Sequence, residues 1–174
     1  SLDTSFGNKG IVESRFPKDQ YGRDIIAYIH DFLLLPSGKI FIVGMDNSYK
    51  MFLSKFTSAG FPDTSFGINK GYKTMNNFVS NRYGKQAHLV KGNKIIIAGS
   101  GFTAYRFLDN GDLDSSFGEY GIASNSFEVG ASTGIRGSFI QPDGKILLAG
   151  SGANRNDDYS HICMLRLHGD GGIT

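Results

Sequence analysis

The amino-acid sequence predicts an all-β fold built from three repeats, each of about four antiparallel strands. Three observations lead to this prediction: the same motifs occur three times, glycine makes up 24 of the 174 residues, and no segment combines sustained helical periodicity with capping residues. Glycine at about twice its ordinary frequency, together with 13% aromatic residues, indicates many turns between short strands.

Three sequence anchors recur in the same order and divide the chain into repeats. The first is the pentapeptide Asp-(Thr/Ser)-Ser-Phe-Gly, at residues 3–7, 63–67 and 114–118. The second is a lysine and an isoleucine leading through an apolar run to a glycine, at residues 39–44, 94–99 and 145–150. The third is a basic–apolar pair before a turn, at residues 55–56, 106–107 and 166–167. We therefore expect one domain, residues 1–174, with repeats of approximately 2–61, 62–112 and 113–174.

Each repeat is expected to contain four short strands. In the first repeat these begin near Gly10, Ile25, Lys39 and Met51. The third strand of each repeat is almost continuously apolar, which is typical of a strand buried on both faces. Proline and glycine before the repeated lysine predict a tight hairpin in the first and third repeats. Because the period lies slightly above the roughly 40–50 residues of common propeller repeats, the pattern indicates propeller-like blades.

The pentapeptide is expected to link the fourth strand of one sheet to the first strand of the next, so that each repeat forms a complete sheet. Its Asp and Ser side chains suit a turn closed by side-chain hydrogen bonds, and its glycine permits chain reversal. We expect Phe6, Phe66 and Phe117 to fill equivalent seams between successive sheets. The alternative to this structural interpretation is a calcium site at residues 109–114. These residues offer oxygen ligands but lack the terminal glutamate of an EF-hand loop.

These motifs resemble the delta-60 repeat family, a bacterial β-propeller-like repeat. Its pattern is similar to Leu-Asp-x-Ser-Phe-Gly, then Pro-Asp-Gly-Lys-Ile with a small residue and a glycine, then Arg and a turn. The resemblance covers essentially the whole chain, but the middle copy has Pro62 before its pentapeptide and lacks Pro-Asp-Gly before Lys94. It implies a scaffold from large surface or secreted bacterial proteins and no catalytic residues. The stretches that match best are residues 113–118 and 141–146, followed by 2–7 and 36–44.

Composition and charge exclude several function classes. A net charge of +2 gives no bulk attraction to nucleic acid, and the apolar runs are too short to span a bilayer. The single cysteine, Cys163, excludes an intramolecular disulfide and a multi-cysteine metal site. The four histidines lack metal-ligand spacing, so we expect neither a metal nor a cofactor. We also expect no enzymatic activity, with a glycoside hydrolase as the alternative.

The strand connections at the end opposite the hairpins and pentapeptides vary in length and chemistry, and this contrast predicts a recognition surface. This surface, the variable-loop face, comprises residues 15–24, 46–50, 76–85, 100–102, 125–133 and 153–160. Tyrosine combined with Asn, Asp and Arg suits sugar binding, because the ring packs on the sugar while polar groups bind hydroxyls. The candidate ligand-binding residues are Tyr21, Arg23, Tyr49, Arg82, Tyr83, Asn154, Arg155, Asp157, Asp158 and Tyr159.

Three blades are fewer than the about four to eight of a closed propeller. Closure is expected through a pseudo-threefold arrangement, through further blades, or through self-association as a dimer or trimer. The function we expect is recognition of a cell-surface glycan or protein by an extracellular or cell-surface bacterial protein, such as an adhesin or fibre tip. The alternative is a structural spacer in a repeat protein.

Overall fold

In the computed structural model, residues 1–16, 18, 22–67, 71–75, 84–125, 132–153 and 160–172 are described. Within these ranges the chain forms strands, turns and irregular segments, and none of it is a helix that could cross a membrane. The strands are β1 (Ala27–Leu34), β2 (Ile40–Asp46), β3 (Met51–Phe56), β4 (Tyr72–Thr74), β5 (Gly84–Val90), β6 (Lys94–Gly99), β7 (Thr103–Phe107), β8 (Ile122–Ser124), β9 (Ser132–Ile140), β10 (Ile146–Ala153) and β11 (Ser160–Leu167).

The described strands form three antiparallel sheets, which confirms the all-β prediction. The first sheet has the order β1-β2-β3-β4, the second β5-β6-β7-β8 and the third β9-β10-β11. One hydrophobic cluster lies between the first and second sheets and includes Phe41, Leu53 and Tyr105. Another lies between the second and third sheets and includes Ile96 and Leu148. The second sheet is therefore packed on both faces.

The sheets are offset from the sequence repeats by one strand, so the expectation that each repeat forms a complete sheet was wrong. Strand β4 opens the second repeat but pairs with β3, and β8 opens the third repeat but pairs with β7. The cause is the pentapeptide, which turns the chain back onto the strand it has just left. The Asp63 amide donates to the Lys55 carbonyl oxygen at 2.8 Å. The Lys55 amide in turn donates to the Gly71 carbonyl oxygen at 2.9 Å.

Each pentapeptide forms the predicted side-chain-closed turn. The Ser116 hydroxyl donates to Asp114 Oδ1 at 2.7 Å, and the equivalent bonds of Ser65 to Asp63 and of Ser5 to Asp3 are 2.6 Å long.

The pentapeptide phenylalanine lies across a seam between sheets. Phe66 and Phe117 are buried, whereas Phe6 is partly exposed. Each ring lies over a turn glycine near the end of its own repeat: a Cβ on Gly111 would lie 2.6 Å from Phe66, and one on Gly171 would lie 2.9 Å from Phe117. The burial predicted for Phe66 and Phe117 is confirmed.

The three sequence anchors meet at one carboxylate. Besides its own turn serine, Asp114 accepts from Lys94 Nζ of the second anchor at 2.7 Å and from Arg106 Nε of the third at 2.7 Å. Asp63 pairs equivalently with Lys39 at 2.8 Å. Burial acts to raise the pKa of Asp114, but the hydrogen bonds from Lys94, Ser116 and Arg106 outweigh it and hold the pKa far below its ordinary value.

Replacing Phe117 by alanine should lower the free energy of unfolding by about 3–5 kcal/mol, because it leaves a cavity in the seam. Phe6→Ala is the matched control: in a single chain its ring is partly in contact with solvent, so at protein concentrations where the chain is monomeric the loss should be smaller. Urea denaturation of both variants measures the difference, and equal losses would show that the two seams are not distinguished by burial.

Asp114→Asn should cost about 3 kcal/mol at neutral pH, because it leaves the Lys94 and Arg106 charges without their carboxylate. A lowered folded-state pKa contributes stability above the ordinary value of about 3.9, and this stability is lost as the pH falls below it. The difference in free energy of unfolding between wild type and Asp114→Asn should therefore become smaller as the pH is lowered. Urea denaturation at neutral pH and below about pH 3 checks this, and an unchanged gap would contradict it.

Candidate functional site

Two of the ten predicted ligand-binding residues, Arg23 and Tyr49, fall in the described part of the chain. Both are exposed, and Tyr49 has 62% of its surface accessible. The other eight lie outside the described residues: Tyr21, Arg82, Tyr83, Asn154, Arg155, Asp157, Asp158 and Tyr159.

Arg23 and Tyr49 belong to segments that are joined at one end of the first sheet. Asn47 makes the connection: its Nδ2 donates to the Asp24 carbonyl oxygen at 3.2 Å, and its Oδ1 accepts from the Ile26 amide at 3.3 Å. Asp46 closes the turn that presents Tyr49 by accepting from the amides of residues 48 and 50 at 2.8 and 2.9 Å. The structure thus supports a common surface for these two parts of the variable-loop face.

A β-bulge occurs at the same place in the first strand of every sheet. In the first sheet Ile29 pairs with Gly44 while Asp31 pairs with Val43, so His30 is the extra residue. Lys85 is the extra residue in β5, and Arg136 is the extra residue in β9. A bulge redirects a side chain out of the regular alternation. Each sheet therefore directs one basic residue from an equivalent position.

The glycine that ends the second sequence anchor makes the bulge possible. Gly44 and Gly150 lie opposite the bulges of β1 and β9. A Cβ on Gly44 would lie 2.0 Å from the Tyr28 carbonyl oxygen, and one on Gly150 would lie 2.1 Å from that of Gly134. Because real Cβ atoms essentially never come within 3.0 Å of such an atom, any side chain here would push the bulged strand away.

The three bulges surround one open recess of about 520 Å³, here called the bulge recess. Its ionisable members are His30, Lys85, Arg136 and one acid, Asp31. The Asp31 carboxylate is already bound, because Oδ2 accepts from the Ala87 amide at 2.9 Å and Oδ1 from the Phe32 amide at 2.8 Å. The recess is lined by Ile29, His30, Asp31, Lys85, Gln86, Ile135 and Arg136.

A hydrogen-bonded chain fixes Gln86 at the base of the recess. The Ser138 hydroxyl donates to Gln86 Oε1 at 2.9 Å, and Ser138 Oγ lies 2.7 Å from His88 Nε2. Since the hydroxyl proton is used toward Gln86, this bonding assigns the Nε2–H donor to His88. Burial lowers the pKa of His88, and the nearby Asp31 charge opposes this only in part. These hydrogen bonds connect β5 to β9. Because the pKa of His88 is lowered, its imidazole is neutral near pH 7.

In the turn at residues 109–114, the alternative calcium site, two aspartate carboxylates bind lysine side chains. Asp109 Oδ1 accepts from Lys55 Nζ, and Asp112 Oδ1 accepts from Lys73 Nζ. Both bonds connect the first sheet to the second, so these carboxylates serve the seam. No group of three or more His, Cys, Asp or Glu side chains in the described ranges could hold a metal ion.

Sequence reasoning did not find the bulge recess. The available signal was the two adjacent polar residues His30 and Asp31 in an otherwise alternating strand, aligned with Lys85 and Gln86 in the next repeat. One extra residue reverses the alternation at that point, which is how a bulge reads in sequence.

Comparisons with known proteins assign no activity to this chain. Residues 141–172 match the family described as "Domain of unknown function (DUF5122) beta-propeller", which supports a β-propeller-like repeat. No curated protein matches the chain. Among solved structures, one protein of unknown function from Bacteroides caccae matches with 9% identity and a TM-score of 0.35, over 87% of this chain and 70% of that one.

Gly150→Ala should destabilise the third sheet by about 3 kcal/mol, because the new methyl group would overlap a main-chain oxygen. Gly137→Ala in β9 is the matched control, since a Cβ there meets nothing within 4 Å, and alanine should be neutral or stabilising by up to about 1 kcal/mol. Chemical denaturation compares the two variants. Equal stability would remove the proposed link between the glycine and the bulge.

Proposed function

We propose that this chain is a non-enzymatic recognition domain, built from delta-60-type repeats, of a bacterial surface or secreted protein such as an adhesin or fibre tip. Its ligand is a cell-surface glycan or protein that carries an acidic group. The observation that supports this proposal most directly is the bulge recess, to which three sheets each contribute one basic residue from an equivalent position.

The chemistry of the recess favours an anionic ligand. Arg136 is exposed, and a guanidinium presents a planar set of donors that matches a carboxylate. Lys85 adds positive charge, while the Asp31 oxygens are turned to backbone amides. An acidic sugar or an acidic side chain would meet complementary charge here.

The position of the recess supports an extended binding surface. The bulge residues are the fourth residue of β1, the second of β5 and the fifth of β9. Each of these strands begins within or shortly after one of the variable segments 15–24, 76–85 and 125–133. Exposed Tyr49 stands on a turn at the same end of the first sheet. A tyrosine ring can pack on the apolar face of a sugar while the recess binds its acidic group.

A structural spacer is the second candidate, and the uncovered face of the third sheet favours it. Ile162 is 86% exposed and Met164 is 63% exposed. Side chains of this kind at the end of a repeat array are covered in a longer array by the next repeat. As a spacer the chain would have no ligand for the bulge recess.

Arg136→Gln should weaken binding to an acidic glycan or to target cells by about 10-fold or more, because one charge-assisted hydrogen bond is lost. A glycan array that includes acidic and neutral sugars identifies the ligand, and titration of the best glycan measures the change. Lys91→Gln is the matched control, since Lys91 is exposed in the hairpin at the opposite end of β5.

Two results would contradict the proposal. Binding unchanged in Arg136→Gln would remove the bulge recess as the site. No binding to any glycan or cell surface, with the wild-type fold intact by circular dichroism, would favour the spacer.

A further inference from the structure

The third sheet ends in an unfilled edge and an uncovered apolar face, here called the C-terminal flank. Among the described residues, β11 has β10 on one side and no strand on the other, unlike β3 and β7. Outward-facing Phe139, Ile162 and Met164 are 59%, 86% and 63% exposed. Within the part of the chain that the structure describes, the C-terminal flank has neither a fourth strand nor a covering sheet.

The first sheet carries an apolar surface complementary to the C-terminal flank, and this surface is here called the N-terminal flank. Residues 11–13 follow a pentapeptide as β4 and β8 do, but in the described chain they belong to no sheet. Phe6 already lies against Gly60 as Phe66 lies against Gly111. Beside them, Phe32 and Leu34 are 67% and 70% exposed, and Ile40, Ile42 and Phe56 line an open recess of about 730 Å³.

The two internal seams show how such flanks fit together. Leu53 and Ala104 are the repeat equivalents of Met164, and both are completely buried by the following sheet. Ala87, the equivalent of Phe32, is likewise buried by the preceding sheet. Met164 and Phe32 therefore occupy positions that the same fold buries wherever a neighbouring sheet is present.

Charge complementarity supports the same fit. Asp3 is the equivalent of Asp63 and Asp114, yet its side chain is bonded within its own turn to Ser5. Lys145 and Arg166 are the equivalents of Lys94 and Arg106, which hold Asp114. At the C-terminal flank Lys145 pairs instead with neighbouring Asp143.

We propose that the C-terminal flank of one copy of this chain docks on the N-terminal flank of a second copy, whose residues 11–13 become the fourth strand beside β11. Repeat equivalence sets the register: Leu165 opposite Ile11, Met164 opposite Val12 and Cys163 opposite Glu13, as Ser54, Leu53 and Phe52 lie opposite Tyr72, Lys73 and Thr74. Asp3 of the second copy then accepts from Lys145 and Arg166. This contact is head-to-tail, and two copies that close on each other form six sheets.

We place a second copy there because the N-terminal flank faces away from the second sheet. Phe16 packs on Phe52 with ring centroids 4.7 Å apart. Phe52 lies on the opposite face of β3 from Leu53, which packs toward the second sheet. This inference concerns assembly and stands independently of the ligand at the bulge recess.

Glu13→Cys tests the register by cross-linking to natural Cys163. The two residues would form a pair without hydrogen bonds between them, where antiparallel side chains approach most closely. Mild oxidation should give a disulfide-linked dimer as the main species on a non-reducing gel, with a peptide joining residues 13 and 163 by mass spectrometry. Val12→Cys, which faces Met164 instead, is the matched control and should cross-link poorly.

Three results of this experiment would overturn the proposal. A cross-linked monomer would show that the chain closes on itself. A disulfide-linked dimer that persists in Glu13→Cys/Cys163→Ser would show a different contact between copies. No cross-link at any concentration, with the wild type sedimenting at 18.9 kDa, would leave both flanks without a second copy.

A charge exchange provides a test that does not use cysteine. Asp3→Arg and Arg166→Asp should each sediment as monomers, because each places like charges together at the contact. Mixed in equal amounts they should form a dimer, since one junction is then wild type and the other carries the reversed pair. Failure of the mixture to associate while wild type dimerises would remove this ion pair from the interface.

Discussion

The fold depends most visibly on the hydrogen bonds and ion pairs of the Asp114 carboxylate. It closes its own turn through Ser116, receives Lys94 from the preceding hairpin and receives Arg106 from the strand it has just left. The Lys-Ile motif and the basic–apolar pair contribute Lys94 and Arg106, 20 and 8 residues before Asp114, and both side chains converge on this one carboxylate. At each pentapeptide the aspartate accepts from its turn serine, and at Asp114 two cationic side chains join it. This bonding fixes where the chain reverses and therefore where the seam phenylalanine lies.

Sequence reasoning recovered the elements that local chemistry determines. The repeats, the all-β class, the hairpins and the burial of Phe66 and Phe117 all follow from residue type and spacing. The middle hairpin lacks proline, yet Gly92 and Asn93 both adopt positive φ, at 79° and 58°, and so reverse the chain within the three residues between Val90 and Lys94. Different local sequences therefore give the same reversal, and in each case the required residues are visible in the sequence.

What sequence reasoning missed depends on pairing between segments. A short strand such as β4 has the same composition whether it joins the sheet before it or the sheet after it, so residue type could not reveal the offset. The bulges were missed for a related reason, because one extra residue breaks the alternation that identifies a strand. The glycine at position 44 was read as part of a motif, but its purpose becomes apparent only when the Tyr28 carbonyl oxygen is found where its Cβ would be.

The offset between repeat and sheet has a consequence for how such a chain can grow or shrink. Duplicating or deleting a segment cut at the pentapeptide would divide a sheet between two units, leaving one edge short of a strand and the other with a surplus strand. Each repeat is therefore joined to its neighbour by main-chain hydrogen bonds as well as by side-chain packing. In a linear array this raises the coupling between neighbours relative to the stability of each unit, so unfolding is expected to spread across sheets as one cooperative event.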